Sequence, residues 1–314
     1  MKIAVLIPCY NEEQTIGAVI EDFRQELPDA TIYVYDNNSK DRTSEIAREH
    51  GVVVKKEFRQ GKGHVVRSMF REIEADCYVM VDGDNTYPAK FVHQLIEPIK
   101  NKEANMVIGD RLSNGTYTEE NKRAFHNFGN SLVKGLINFL YKSKLDDIMT
   151  GYRAFDPLFV KSMPVMSPGF EIETEMTIHA LDKRLAIKEI PIEYRDRPEG
   201  SESKLNTVSD GYKVVKKIFT LFKEYKPMLF FNVWAAIFFI LGLAVGTPVI
   251  VEFIQTQYVE KVPSAILAVG LVLLAVLSLA CGLILDTVAS SHKKQYEIEL
   301  NKIYKDIAKG PVEE

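Results

Sequence analysis

The chain has 314 residues, of which 39 are Lys or Arg and 43 are Asp or Glu, so its net charge is −4. This slightly acidic balance gives no electrostatic support for nucleic-acid binding. Three cysteines, widely spaced and without a CxxC pair, argue against a disulfide framework or a zinc site. Charged residues run through the first 226 positions, a length that can bury the core of an α/β domain.

Short apolar runs rich in Val, Ile and Tyr alternate with longer amphipathic segments over the first 110 residues. The apolar runs predict strands at Ile3–Ile7, Thr31–Tyr35, Val52–Lys55, Tyr78–Val81 and Met106–Ile108. The amphipathic segments predict helices at Glu13–Glu26, Arg42–Glu49, Gly63–Ile73 and Ala89–Lys100. This alternation indicates an α/β fold with a mainly parallel sheet, in which ligands bind beyond the carboxyl ends of the strands.

The next segments predict a polar loop, two helices and a strand, in the order Leu112–Lys122, Arg123–Lys142, Gly169–Arg184 and Ala186–Tyr194. Beyond them, Thr207–Lys226 places apolar residues alternately four and three positions apart, which is one face of a helix. The opposite face is rich in lysine. Such a helix is typical of an element lying on an anionic membrane, although a helix that packs on the domain has the same pattern.

Two uncharged apolar runs follow, Pro227–Val251 and Val262–Leu285. Each has about 24 residues, and at roughly 1.5 Å per residue a helix of that length crosses a hydrocarbon core of about 30 Å. The runs therefore predict a transmembrane helical hairpin. The alternative is a pair of buried core helices, for which two uncharged runs of this length are unusual.

Basic residues are concentrated outside the two apolar runs. Five lysines lie between residues 213 and 226, and His292, Lys293 and Lys294 follow the second run, whereas the connecting segment has one lysine and two glutamates. By the positive-inside rule, the chain is a two-span membrane protein whose N-terminal domain and both termini are cytoplasmic. The predicted organisation is a domain at 1–206, an interfacial helix at 207–226, spans at 227–251 and 262–285, an external loop at 252–261 and a tail at 286–314.

Asp82-Gly83-Asp84 directly follows the predicted strand Tyr78–Val81. Two carboxylates that flank a glycine at a strand end can approach one divalent cation, and Mg²⁺ and Mn²⁺ prefer such hard oxygen ligands. The cation would offset the negative charge of a leaving diphosphate. Ordinary turns are also rich in Asp and Gly, so the position at the strand end is what favours a metal site.

Polar segments also follow the first two predicted strands, at residues 8–13 and 36–41. Backbone N–H groups where the first strand passes into a helix suit an anion, and Tyr10 could stack on a nucleobase. Asp36 could accept a hydrogen bond from a base N–H; the alternative is an Asx turn, with Asp41 capping the next helix. Gly61-Lys62-Gly63 could hold a phosphate, but neither the P-loop pattern nor GxGxxG occurs, which disfavours a P-loop NTPase and a Rossmann dehydrogenase.

Three further polar segments would add arginines and carboxylates around such a site: residues 109–111, 147–153 and 195–204. The last segment is rich in turn residues, so a solvated loop accounts for it equally well.

Taken together and in this order, the motifs resemble those of glycosyltransferase family 2, and within it the polyprenyl-phosphate glycosyltransferases. The matching stretches, spread over residues 3–205, are IPCYNE, VYDNNSKDRT, RQGKG, VDGD, GDR, DIMTGYR and DRPEGSESKL. The two-span tail is similar to that of bacterial undecaprenyl-phosphate glucosyltransferases. The resemblance implies a GT-A fold, a nucleotide-sugar donor, Mg²⁺ or Mn²⁺ as cofactor, and inversion at the anomeric carbon.

The resemblance also implies roles for individual residues. The nucleotide-sugar site would comprise Pro8, Tyr10, Glu12, Asp36, Lys62 and Asp82. Asp82 and Asp84 would be the metal ligands. The acceptor phosphate would be bound by Arg111, Arg123, Asn127 and Arg197. The predicted catalytic residues are Asp84, Asp147 and Arg197, with Asp147 orienting the acceptor or an arginine.

Three positions depart from the family pattern. Asn37 stands where an aspartate is common, Thr86 where many mannose synthases have a glutamine, and Asn127 where a serine often contacts the acceptor phosphate. These departures favour UDP-glucose or UDP-N-acetylglucosamine over GDP-mannose as the donor. No QxxRW motif occurs, which argues against a processive cellulose- or hyaluronan-type synthase.

The sequence therefore predicts an enzyme that moves one sugar from a nucleoside diphosphate to a polyprenyl phosphate, such as undecaprenyl phosphate, at the cytoplasmic membrane face. Partners compatible with this function are the lipid membrane, a second copy of the chain, a flippase and a downstream glycosyltransferase. Alternatives are GDP-mannose-dependent transfer to polyprenyl phosphate, the same fold acting on a lipid or protein acceptor without a phosphate, and a membrane scaffold without enzymatic activity.

Overall fold

The computed structural model describes residues 1–113, 124–195, 216, 219–220, 222–223 and 226–309. Contacts divide the chain into two compact units, Met1–Val215 with Leu300–Glu314, and Lys216–Glu299. Most of the predicted interfacial helix 207–226 lies outside the described residues, as do Arg123, Arg197, the side chain of Asn127 and most of the predicted loop 112–122.

In the described part of the first unit, seven strands form one sheet in the order β3-β2-β1-β4-β6-β5-β7. The strands β1 to β7 are Ile3–Cys9, Thr31–Asp36, Val53–Lys56, Cys77–Met80, Met106–Asp110, Arg153–Phe155 and Ile187–Pro191. All neighbouring pairs are parallel except those of β6, which runs antiparallel to both β4 and β5. The predicted mainly parallel sheet is confirmed.

Helices cover both faces of this sheet. The helices α1 to α7 are Ile16–Glu26, Thr43–Glu49, Lys62–Glu72, Val92–Lys100, Ala124–Tyr141, Pro157–Ser162 and Ile172–Asp182, and a 3₁₀ turn at Ala89–Phe91 precedes α4. Side chains alternate along β1, so that Val5 and Ile7 pack with α1 and α4 while Ala4 and Leu6 pack with α3 and α7. Two apolar cores result, one on each face.

The sequence patterns missed two short elements and placed the starts of α1 and α7 three residues too early, since α7 begins at Ile172 and not at Gly169. β6 has only three residues and α6 only six, too few for a recognisable apolar period. The first helix begins at Ile16 and not at Glu13, because Glu13 belongs to the turn that leads into the helix.

The second unit contains two long apolar helices, α8 at Pro227–Thr256 and α9 beginning at Val262. Both are long and apolar enough to cross a membrane, and most of their surface is exposed. They approach closely where Gly242 and Gly246 of α8 face Ala268 of α9, since a Cβ on Gly246 would lie 3.2 Å from the Cβ of Ala268. Small residues four apart allow such close packing in membranes.

Helix α9 continues without a break to Lys309, over 48 residues. At 1.5 Å per residue it is about 72 Å long, more than twice the thickness of a hydrocarbon core. The predicted tail at 286–314 is thus helical over most of its length. Sequence analysis did not predict this, because the residues change from apolar to charged near position 286 and the second span was taken to end there.

Candidate active site

Three loops meet at the carboxyl edge of the sheet. In the parallel register, Cys9 at the end of β1 lies beside Asp36 at the end of β2, and Leu6 pairs with Met80 of β4. Each loop turns through one asparagine with a positive φ: Asn11 at 55°, Asn38 at 63° and Asn85 at 58°. Asparagine tolerates this left-handed conformation better than most residues, because its side chain can hydrogen-bond locally.

The first two loops are joined by hydrogen bonds between backbone and side chains. The N–H groups of Asn11, Glu12 and Glu13 donate to the side chains of Ser39, Thr43 and Asp41 at 2.9, 2.8 and 3.1 Å. These are the N–H groups that the sequence suggested for binding an anion. The structure corrects that expectation, because they hold the second loop in place.

Asp36 is buried, and its Oδ1 accepts a hydrogen bond of 2.9 Å from the N–H of Ser39. The donor stands three residues on, one more than in the Asx turn considered from the sequence. Asp41 accepts from the N–H of Thr43 but stands one residue before the helix cap, which is Arg42. Pro8 and Tyr10 are half-buried at the end of β1. The nucleotide-binding roles of Pro8, Tyr10 and Asp36 stay predictions.

Asn37 joins the second loop to the segment that precedes α3. Its buried amide donates to the carbonyl oxygens of Glu57 and Arg59 at 2.9 and 2.8 Å, and its oxygen accepts from the N–H of Gly61 at 2.7 Å. An aspartate has no N–H to donate to two carbonyls. The departure from the family pattern at this position therefore has a local structural reason.

Asp82-Gly83-Asp84 lies directly beyond β4 and is held from several sides. A Cβ on Gly83 would lie 2.8 Å from Sγ of Cys9, so a larger residue here would have to displace that side chain. Asp84 is buried, and its Oδ1 accepts from the hydroxyl and the N–H of Thr86 at 2.7 and 3.2 Å. Thr86, the second departure from the family pattern, thus orients Asp84.

Lys62, the first residue of α3, places its ammonium between two carboxylates. Its Nζ lies 2.5 Å from Oδ1 of Asp82 and 2.6 Å from Oε1 of Glu173 on α7. Burial alone would lower the pKa of Lys62, but the two carboxylates outweigh it and raise the pKa, so the ammonium stays charged. Sequence analysis missed Glu173, because an acidic residue in an ordinary helix carries no motif that distinguishes it.

Two glycines make this placement of Lys62 possible. A Cβ on Gly61 would lie 2.1 Å from the carbonyl oxygen of Pro168, and one on Gly63 would lie 1.8 Å from that of Ser167. The start of α3 therefore lies directly against the backbone that leads into α7. The Gly-Lys-Gly motif permits this packing and brings the ammonium to Asp82.

Arg111 and Asp147 form a buried bidentate pair beyond β5. The Nε and Nη2 atoms of Arg111 donate to the two carboxylate oxygens at 2.7 and 3.0 Å. Burial alone would raise the pKa of Asp147, but Arg111 outweighs it and holds the pKa below its ordinary value. Asp147 is therefore a poor proton acceptor at neutral pH, in agreement with its predicted part in orienting an arginine.

Tyr87 connects this pair to the aspartate motif. Its hydroxyl accepts from the N–H of Gly151 at 3.0 Å and from Nη1 of Arg111 at 3.3 Å. A Cβ on Gly151 would lie 2.3 Å from Oδ2 of Asp82, so a larger residue here would displace that carboxylate. Tyr87 and Gly151 are further site residues that sequence analysis did not single out.

Arg153 is not one of the cations that surround the site. It is fully buried in β6 and donates to the carbonyl oxygens of Thr150 and Ile148 at 3.0 and 2.6 Å. Burial lowers its pKa to about 10. Its role is to hold the segment before β6, which corrects the expectation drawn from its place in the 147–153 segment.

The donor set at Asp82 and Asp84 suits a hard divalent cation, because both residues offer carboxylate oxygens. Within the described parts of the chain, no three His, Cys, Asp or Glu side chains converge to form a complete metal site.

Comparison with known proteins agrees with this geometry. The model of the family described as "Glycosyl transferase family 2" matches residues 4–159. "Glycosyltransferase AglJ" of Haloferax volcanii is 30% identical over 93% of this chain and 95% of its own length. The chain belongs to glycosyltransferase family 2. It is accordingly an enzyme that transfers sugars, and the alternative of a scaffold without activity is wrong.

Two further relatives define the fold and the subgroup. The "Dolichyl-phosphate hexose transferase" of Haloferax volcanii is 30% identical over 69% of this chain and 92% of its own length. Glucosyl-3-phosphoglycerate synthase from Mycobacterium tuberculosis, crystallised with Mn²⁺, UDP and its product, is 23% identical, with a TM-score of 0.56 over 71% of this chain and 79% of its own. These likenesses confirm the predicted GT-A fold and the resemblance to polyprenyl-phosphate glycosyltransferases.

Proposed function

We propose that this enzyme transfers one sugar from a nucleoside diphosphate to a polyprenyl phosphate at the cytoplasmic face of a membrane. The observation that carries the proposal is the aspartate motif, held by Lys62 and Thr86 at the sheet edge of a chain that also contains two membrane-length helices. Sequence similarity to a dolichyl-phosphate hexose transferase supports the same acceptor class.

In this proposal Asp82 and Asp84 hold Mg²⁺ or Mn²⁺, and the cation, when bound, offsets the charge that develops on the leaving diphosphate. Lys62 adds a fixed positive charge, and Glu173 keeps it in place. Pro8, Tyr10, Glu12 and Asp36 are the proposed contacts of the nucleoside.

The acceptor is already an anion at neutral pH, so it needs positioning and charge screening more than a general base. Asp147, paired with Arg111 and with a lowered pKa, fits a positioning role. Arg111, Arg123, Asn127 and Arg197 are the proposed contacts of the acceptor phosphate. Arginines bind phosphate through paired N–H donors, whereas an alcohol acceptor would require a base.

A donor panel tests the proposal. The purified protein in detergent is given UDP-glucose, UDP-N-acetylglucosamine or GDP-mannose, with undecaprenyl or dolichyl phosphate as acceptor, and the lipid product is identified by mass spectrometry. We expect a monosaccharide-phosphate lipid with a UDP-sugar. Transfer only to diacylglycerol or to protein would contradict the proposal.

The metal prediction has its own variant. Asp84→Asn keeps an oxygen that can accept from Thr86, so the fold should persist, but the weaker ligand should abolish most turnover. Excess chelator should reproduce this loss in the wild type, and Mg²⁺ or Mn²⁺ should reverse it. Full activity of the wild type in excess chelator would disprove the metal assignment.

A further inference from the structure

Tyr87 lies between the two halves of the candidate site, the aspartate motif and the pair of Arg111 with Asp147. It is only 4% exposed, and its ring packs against the rings of Tyr152 and Tyr194, each with centroids 5.6 Å apart. In a close-packed interior, a ring confined by two others holds its hydroxyl in one place. The position of the Tyr87 hydroxyl is therefore set by the core.

This hydroxyl contacts both halves of the site at once. It accepts a hydrogen bond from Nη1 of Arg111 at 3.3 Å and another from the N–H of Gly151 at 3.0 Å. Gly151 lies directly against Asp82, since a Cβ on this glycine would lie 2.3 Å from Oδ2 of that carboxylate. One hydroxyl thus links the guanidinium of Arg111 to the first carboxylate of the motif.

The residue before Tyr87 serves the other half of the site. Thr86 orients the second carboxylate, because its hydroxyl donates to Oδ1 of Asp84 at 2.7 Å. The carbonyl oxygen of Thr86 accepts from the N–H of Arg195 at 2.9 Å, which joins the same turn to the segment after β7. Two adjacent residues therefore hold a carboxylate on the proposed donor side and an arginine on the proposed acceptor side.

The Tyr87 hydroxyl completes the support of Arg111. Asp147 accepts from Nε and Nη2 of the guanidinium, and Tyr87 accepts from Nη1, so all three nitrogens are held by the protein. The ring of Tyr194 adds a further contact, with its centroid 5.6 Å from Cζ of Arg111. A guanidinium oriented before its ligand arrives binds a phosphate with less loss of freedom.

Tyr87 is suited to holding a neighbour and not to accepting a proton. Burial raises the pKa of its hydroxyl, and the charge of Arg111 offsets only part of this effect. The phenol therefore stays neutral at neutral pH.

We propose that Tyr87 is a positioning residue, which holds Arg111 in the orientation that aligns the acceptor phosphate with the donor. This inference rests on the proposed function, in which Arg111 contacts that phosphate. Without the hydroxyl, the contact to Nη1 is lost while the ring still fills the core. The loss should therefore fall on acceptor binding and on the alignment of the two substrates, and not on nucleotide binding.

Two substitutions of tyrosine by phenylalanine test the proposal. Tyr87→Phe removes the hydroxyl and keeps the ring. Tyr152→Phe is the matched control, because Tyr152 is the neighbouring buried ring and its hydroxyl has no hydrogen-bond partner among the described residues. The full-length variants are compared in detergent for thermal unfolding, for affinity towards UDP with Mn²⁺, and for sugar transfer from UDP-glucose or UDP-N-acetylglucosamine to undecaprenyl phosphate.

We expect Tyr87→Phe to lower kcat/KM for the acceptor by roughly tenfold, the effect of one lost hydrogen bond to a charged group. Its affinity for UDP should stay within about twofold of the wild type, because its contacts lie on the acceptor side of the motif. Tyr152→Phe should match the wild type in both quantities.

A double-mutant cycle adds a result that a general loss of packing would not give. Arg111→Lys removes the guanidinium that Tyr87 holds, so adding Tyr87→Phe to it should lower kcat/KM by less than about twofold more. Tyr152→Phe, added to Arg111→Lys in the same way, should also leave kcat/KM unchanged.

Four outcomes would overturn the positioning role. They are wild-type transfer by Tyr87→Phe, equal losses in Tyr87→Phe and Tyr152→Phe, a loss of UDP affinity in Tyr87→Phe, and additive losses in the cycle. The wild type is assayed beside the variants with diacylglycerol as a second acceptor. If it uses only diacylglycerol, the proposed function fails, and the same four comparisons on that acceptor still decide whether Tyr87 acts through Arg111.

Discussion

Asn37 illustrates how a single amide can decide the shape of a site without touching a ligand. Asn37→Asp would place a carboxylate against the carbonyl oxygens of Glu57 and Arg59. Losing two buried donors should lower the free energy of unfolding by about 1–3 kcal/mol. Thermal unfolding of the purified protein in detergent, followed by circular dichroism, measures the change.

The neighbouring Asn38 is the control for this substitution. It also donates to a carbonyl, that of Phe58 at 2.8 Å, but it is only half-buried, so Asn38→Asp should cost less. A variant at position 37 with wild-type stability and an altered preference among nucleotide donors would show that Asn37 reads the nucleobase instead.

His179 gives the fold a pH dependence. Burial, with a smaller contribution from Lys183, lowers the pKa of His179 to about 4, against about 6.5 in an unfolded chain. Because the folded state favours the neutral ring, the stability contributed by His179 is complete above pH 6.5. It decreases as the pH falls towards 4, by about 1.4 kcal/mol per pH unit.

Burial raises the pKa values of the carboxyl groups of Glu173 and Glu189. These groups therefore stabilise the fold as the pH falls, which opposes the effect of His179 over part of this range. The measurable quantity is therefore the difference between the wild type and His179→Leu. We expect the stability of the wild type relative to the variant to decrease between pH 6.5 and pH 5, whatever their offset at pH 7. A difference that does not change with pH would contradict the buried neutral histidine.

At the scale of elements, the start of α3 is set by its contact with the backbone before α7. Gly63→Ala would place a Cβ 1.8 Å from the carbonyl oxygen of Ser167, so the helix must shift. Overpacking of this kind costs about 1–3 kcal/mol. Lys62 would move away from Asp82, and a misplacement of about 1 Å can cost roughly 10²-fold in turnover.

Gly135→Ala is the matched control, because it makes the same substitution in helix α5 at a position where the new Cβ would have no atom within 4 Å. It should leave turnover unchanged and stabilise the helix by about 0.5–1 kcal/mol. Thermal unfolding and donor turnover are compared for both variants. Equal turnover in the two would show that the position of Lys62 does not matter for catalysis.

The elements that sequence analysis predicted are those with a long apolar period or a distinct composition. Strands β1, β2 and β5 and helix α3 were placed to within one or two residues at each end, because their apolar side chains follow the periods of a strand and a helix. β6 could not be found in this way. Its three residues are buried between β4 and β5, and that position depends on tertiary structure alone.

The candidate site follows the same division. Asp82 and Asp84 were recognisable because chemistry and strand-end position coincide in one short motif. Glu173 and Gly151 come from distant segments and have no local pattern, so only the folded chain brings them to the motif, and Tyr87, three residues after Asp84, shows its role only through its contacts with Gly151 and Arg111. The N–H groups of residues 11–13 were predicted to bind an anion, and that prediction was wrong. The sequence could not reveal that these groups already donate to the side chains of Ser39, Asp41 and Thr43.

For the whole molecule, the distribution of charge predicts how the chain crosses the membrane. Helix α8 ends at Thr256, Gln257 caps it with a φ of 58°, and α9 begins at Val262, so the two helices are joined by a short turn. Two helices joined in this way must enter and leave on the same side. The lysines that precede α8 and those that follow the apolar part of α9 predict that this side is the cytoplasm.

A topology reporter inserted at Gln257 should therefore be active outside the cytoplasm, and one fused after Glu314 should be active inside it. The second result also concerns α9, because about 24 of its 48 residues suffice to span the hydrocarbon core. The charged remainder, about 36 Å long at roughly 1.5 Å per residue, would lie outside the hydrocarbon core. If the fusion at Gln257 is fully expressed and its reporter is active in the cytoplasm, the two helices do not form a transmembrane hairpin. The enzyme would then not be anchored beside a lipid acceptor by two spans.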